Sequence, residues 1–172
     1  MANTSQTKSH RHSNNSRWFE GWALTTWIAL AIASTTATIV IIGGASAPAI
    51  GLAIRFTARS SLVLFGAAFA ASALLALMPH PLTRWMRRNR RQLGVAFAAS
   101  HLTHAVAIGL YATLQPMAFH EHTRSMSPLP GLLAYVFILA MAATSFDRSA
   151  AWIGRRGFKA LHTIGSIYIW IS

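Results

Sequence analysis

The stretch Arg90-Arg91-Gln92-Leu93-Gly94-Val95-Ala96-Phe97-Ala98-Ala99-Ser100-His101-Leu102-Thr103-His104 decides how the chain is read. A basic cluster runs directly into an apolar helical segment, and two histidines follow about three turns inside it. Ligating or ionisable side chains deep in a hydrocarbon-spanning segment are costly, so they are functional candidates by default. A second stretch has the same plan: Gly154-Arg155-Arg156-Gly157-Phe158-Lys159-Ala160-Leu161-His162.

Composition says what surrounds these segments. The 172 residues are 53% hydrophobic and only 10% charged, where a soluble domain carries about a quarter charged residues. The chain therefore reads as an all-α integral membrane helical bundle. Cysteine is absent, which excludes disulfides, iron–sulfur clusters and thiolate ligation of haem. The net charge of +12 comes from lysines and arginines that fall between apolar runs. There they orient the protein and meet anionic lipid. No basic face is left over for nucleic acid.

Residues 1–17 are polar and without apolar periodicity, the composition of a disordered cytosolic tail; its His10 and His12 are solvated. The rest, 18–172, reads as one transmembrane helical domain with spans at about 22–42, 60–79, 93–114, 130–146 and 158–172. The first four cross fully. The fifth is cut short at Ser172, so the sequence reads either as a helix ending partway or as a piece of a longer protein. Trp18 and Trp22 stand at the membrane interface. Residues 43–59 read as a loop carrying Arg55 and Arg59, and 115–130 as a polar loop. Asp147 is placed to N-cap a short helix from Arg148 to Ile153. His80, between Pro79 and Pro81, is interfacial.

The basic residues sort by side. Lys8, Arg11, Arg17, the five arginines from Arg84 to Arg91, and Arg148, Arg155, Arg156 and Lys159 make twelve on one side; Arg55, Arg59 and Arg124 make three on the other. The positive-inside rule then puts the N-terminus in the cytoplasm, as expected in a bacterial inner membrane.

The histidine helices carry the chemistry. Gly94, Ala98, His101, Ala105 and Gly109 form a stripe of small residues around one histidine, and Gly165 and Ser166 follow His162. A flat porphyrin needs long axial ligands with small neighbours, and neutral imidazole is a common haem ligand. The expected cofactor is one haem b, with His162 and either His104 or His101 on the iron. Arg90, Arg91, Arg155, Arg156 and Lys159 are placed to neutralise its propionates. Depth favours His101, which is closer to His162.

Two other readings stand beside this one. In a non-redox membrane protein, a transporter or assembly subunit, the same histidines would be packing or proton-relay groups. In a metal-ion carrier, His120 and His122 with Glu121 and Met117 would be the ligands, although their spacing matches no common structural site.

Arg90-Arg91-x-x-Gly94 with His104 ten residues on, then Thr144-Ser145-Phe146-Asp147, then Gly154 to His162, resembles the bacterial ferric reductase-like transmembrane domain. That superfamily includes ferric reductases, NADPH oxidases and the haem-binding subunit of methionine sulfoxide reductase. The resemblance covers about Arg84 to Trp170. It implies a helical bundle binding b-type haem that moves electrons between a membrane or cytoplasmic donor, protein or quinone, and an acceptor on the other side. His104 and His162 take the family's histidine positions. Members with two haems carry histidines thirteen apart on each helix, but thirteen beyond His101 stands Leu114. The sixth span is missing as well. No nucleotide- or flavin-binding domain follows, so flavin could enter only through a partner.

Overall fold

The computed structural model describes residues 20–125 and 127–172. The tail readings, with His10, His12 and Trp18, lie outside the described residues. Seven helices and no strands occur among the described residues: α1 Gly21–Ile42, α2 Ala47–Leu77, α3 Pro81–Arg88, α4 Arg90–Leu114, α5 Pro116–Thr123, α6 Leu129–Ala143 and α7 Asp147–Ile171.

Three of them, α1, α2 and α4, are long and apolar enough to cross a membrane. The axes of α6 and α7 turn by 113° at a short break; counted together as one broken span, they bring the total to four. The burial pattern is that of a membrane protein. Leu62, Val63, Val106 and Leu139 face outward, while Thr57, Ser61 and Ser100 are buried between helices. Water would favour the reverse; lipid tails make an apolar outer face free of cost and leave polar groups to pair inside.

Several expected boundaries move. Most of residues 43–59 is helix: α2 begins at Ala47, with Pro48 in its first turn. Proline suits that position because the first turn's N–H groups have no intrahelical partner. At 31 residues, α2 is about 46 Å long, more than a hydrocarbon core requires. Arg55 and Arg59 therefore sit on a helix, with side chains exposed. The polar segment 115–130 holds α5, also begun by a proline. Phe146, not Asp147, is the N-cap of α7, and Asp147 opens the helix's first turn. The short helix expected to end at Ile153 does so, because Gly154 adopts φ 69° and breaks α7 there.

The turn from α1 to α2 is tight. The Gly44 N–H bonds to the Ile41 carbonyl and the Ala45 N–H to the Val40 carbonyl, with Gly44 at φ +60°. This is the paired bonding that closes a helix C-terminus through a left-handed residue. At the far end of the bundle, Asn89 joins α3 to α4 and holds the start of α1, its Oδ1 accepting from the Gly21 N–H at 3.1 Å. His80 caps α3.

The chain thus runs up and down. The start of α1, the α3–α4 junction and the α6–α7 break meet at one end, through Arg88–Glu20 at 3.1 Å, Arg91–Asp147 at 2.9 Å and the stacked rings of Trp22 and Phe146. The α1–α2 turn and Gln115 meet at the other, where Gln115 Nε2 donates to the Ala45 carbonyl. Phe65, Phe97 and Ile138 form the buried centre, where α2, α4 and α6 touch.

Candidate functional site

A cavity of about 430 Å³ opens at the arginine end between α2, α4, α6 and α7. Its depth is apolar: Phe65 and Phe69 from α2, Phe97 from α4, Ile138 and Met141 from α6. Ala68, Gly94 and Ala142 keep its walls open. Arg87, Arg88, Arg90 and Arg91 stand around its mouth, and His162 is its one histidine.

The arginines are partly engaged. Arg90 donates from Nε to the Ala68 carbonyl at 3.0 Å. Arg91 pairs with Asp147 through Nη1 and lies over the Trp22 ring, 5.2 Å from its centroid. Its Nε is buried with no acceptor, a state that costs desolvation free energy until an acceptor arrives. His162 stacks on Phe158, with ring centroids 4.1 Å apart, and its Nε2 lies 3.1 Å from Thr144 Oγ1.

His101 and His104 lie one layer deeper and do not line the cavity. The His101 ring sits between Phe97, His104 and Tyr135, at 5.6, 5.2 and 4.9 Å. Its Nδ1 is buried without a partner. His104 turns instead to α2, where its Nδ1 lies 2.9 Å from Thr57 Oγ1. One turn along, Ser61 and Ser100 hydroxyls pair at 2.9 Å. Phe97 is the link between the two regions, lining the cavity on one side and touching His101 on the other.

Of the expected site residues, the fold brings Arg90, Arg91 and His162 to one cavity and sets His101 and His104 behind its inner wall. Arg155, Arg156 and Lys159 are exposed and stand away from it. His120 and His122, two apart on α5, fall on different faces of the helix. His122 Nδ1 donates to the Ala118 carbonyl at 2.9 Å. Among the described residues no group of three or more His, Asp or Glu side chains is gathered to hold a metal ion.

Sequence reasoning missed Arg87 and Arg88 as mouth residues, and Thr57, Tyr135 and Met141 altogether. For Tyr135 and Met141 the available signal was a polar or sulfur-bearing residue within an apolar run.

The cavity residues suit a flat amphiphile with acidic groups. Its volume lies in the ~300–1,000 Å³ range of small-molecule sites. The walls are apolar, the mouth is cationic, one buried guanidinium nitrogen lacks an acceptor, and one imidazole is in the wall. Haem b meets that description at the cavity, while a second histidine ligand does not reach it. A second cavity, about 480 Å³, lies between α1 and α4 and has no ionisable group in its lining. No family model, curated protein or solved structure matches this chain.

Proposed function

We propose that this membrane protein binds a haem b in the α2–α4–α6–α7 cavity and relays electrons, as a ferric reductase-like domain does. The single observation that carries the reading is the meeting of Arg90, Arg91 and His162 in one cavity. Arg90 and Arg91, with Arg87 and Arg88, would hold the propionates, and His162 would be the ligand on the cavity side. Haem supplies one-electron redox chemistry when bound. The chain's own residues bind it, keep water from it with Phe65, Phe69 and Phe97, and leave the basic mouth as the route for a donor or acceptor. The arginine end faces the cytoplasm, and with it the N-terminus, by the positive-inside rule. Four full spans with a fifth helix complete the proposed topology.

A second reading has an observation in its favour. His104 and His162 each already have a threonine within hydrogen-bond distance, as packing histidines in a non-redox transporter or assembly subunit would.

One experiment separates them. The full chain is purified in detergent, supplied with haem, and examined by reduced-minus-oxidised spectra and pyridine haemochrome. The expected result is a b-type signal that His162→Ala and the double variant Arg90→Ala, Arg91→Ala both weaken strongly. Well-folded wild-type protein without a signal would refute the haem reading and leave the packing one.

A further inference from the structure

The two threonines that meet the histidines are not free to choose their role. Thr57 Oγ1 lies 2.9 Å from the Ala53 carbonyl and 3.0 Å from the Ile54 carbonyl. Thr144 Oγ1 lies 2.8 Å from the Ala140 carbonyl and 3.2 Å from the Met141 carbonyl. A carbonyl oxygen only accepts, and a hydroxyl has one proton. That proton therefore goes back to the threonine's own helix, the usual bond of a helical threonine. Were it given to the histidine instead, the hydroxyl lone pairs would face two carbonyl oxygens at close range. Each threonine oxygen is then an acceptor toward the imidazole, and each imidazole nitrogen facing it must carry a proton.

We infer that Thr57, together with the Ile54 backbone that also hydrogen-bonds the His104 ring, and Thr144 are positioning residues that fix the tautomers of His104 and His162, leaving His104 Nε2 and His162 Nδ1 as the free lone pairs. His104 is protonated on Nδ1 and His162 on Nε2. The hydrogen bond at one ring nitrogen decides which nitrogen remains available to a ligand, and it also sets the ring's orientation. The threonines come from elsewhere than the helices of the histidines they hold, α2 for His104 and the C-cap of α6 for His162, so helix packing itself sets which nitrogens stay free. His101 differs from both, since its buried Nδ1 has no such partner. The tautomer assignment concerns the apoprotein alone; the use of the free nitrogens as ligands rests on the haem reading above.

The test is nuclear magnetic resonance of the full chain with ¹⁵N-labelled histidine in detergent, at alkaline pH where imidazoles are neutral. Resonances are assigned by single His→Gln substitutions. The expected spectrum has His104 with its proton on Nδ1 and His162 with its proton on Nε2. A freely hydrated histidine prefers Nε2–H, so the His104 result does not arise by default. Thr57→Val should weaken the Nδ1–H preference at His104 and leave His162 unchanged, Thr144→Val should shift the His162 Nε2 resonance by removing its hydrogen bond while the default Nε2–H tautomer stays, and Thr57→Ser should keep the wild-type pattern. His104 protonated on Nε2 in the wild type, or unmoved by Thr57→Val, would overturn the proposal, and the wild-type spectrum decides even if a valine variant does not fold. Haem retention is measured on the same samples, with a loss of about 10-fold or more expected for Thr144→Val, the scale of orienting contacts to a metal ligand. Tautomers as assigned with no haem bound would support the threonine assignment and refute the haem reading. Haem bound with the opposite tautomers would do the reverse.

Discussion

Gly165 sets the gap between α6 and α7, and filling it should loosen the histidine one turn away. It is the buried residue of α7. A Cβ placed there would lie 3.0 Å from Met141 Sδ and 3.1 Å from Phe137 Cδ1. Carbon atoms in good contact sit about 3.5–4.0 Å apart, so the neighbours must give by a few tenths of an ångström. Gly165→Ala gains about 1 kcal/mol of helix propensity and loses about 1–3 kcal/mol to overpacking. The net is a destabilisation between about 0 and 2 kcal/mol, with the methionine's flexibility setting where in that range it falls. Gly165→Leu puts three further carbons into the same space and has no such escape. It should push α7 off α6, lengthen the Thr144–His162 contact beyond hydrogen-bond range, and free His162 Nε2 from its hydrogen bond. The assay is unfolding in a denaturing detergent followed by circular dichroism, with the ¹⁵N spectrum of His162 read in parallel. Gly165→Leu with wild-type stability and an unchanged His162 signal would refute the packing argument.

Two further outcomes test the frame around the site. Ser61 and Ser100 are buried and paired at 2.9 Å, so a double-mutant cycle of Ser61→Ala and Ser100→Ala should give a coupling near 0.6 kcal/mol and at most about 1.7 kcal/mol, the range for hydrogen bonds between membrane helices; a coupling of zero would show that the pair does not hold α2 to α4. At the α1–α2 turn a Cβ on Gly43 would run into Ala49 Cβ and approach the Ile39 carbonyl. Gly43→Ala should therefore cost about 1–3 kcal/mol by overpacking in the same unfolding assay, and a wild-type midpoint would refute the close approach.

What the sequence made legible follows from what a single helix encodes. The ends of α1 and α4 match their apolar runs, because length and hydropathy are local properties. The beginning of α2 was obscured by Arg55 and Arg59, whose charges suggest a loop when counted but sit on exposed helix positions. Pro48 and Pro116 fall in segments whose composition suggests loop, although proline in a first turn equally marks a helix start. His162 and the arginines Arg90 and Arg91 could be picked out because each is costly or clustered within its own segment. The directions of His101 and His104 could not. Residues three apart on a helix share a face only broadly, and the choice between α2 and α6 as neighbour belongs to the packing. Thr57 and Thr144 were illegible as histidine partners for the same reason, since each stands on another helix.

The contacts between α2 and α4 explain why the layers of the site fall where they do. Thr57 and Ser61 are four apart on α2, and Ser100 and His104 are four apart on α4. Antiparallel packing matches them as two rungs, Thr57 with His104 and Ser61 with Ser100. The next layer is Phe65 against Phe97, with ring centroids 5.2 Å apart. Apolar surface between membrane helices gives little preference for one register, because lipid tails replace it without loss. The polar rungs do discriminate. Sliding α4 by one turn would set His104 against Ser61 and leave Thr57 without its imidazole, or bring Ser100 against Thr57 and expose His104 to no partner at all. Either slip also moves Phe97, and Phe97 is both the inner wall of the cavity and the neighbour of His101. Two hydrogen bonds between α2 and α4, outside the cavity, thus set the depth of the cavity floor at Phe97.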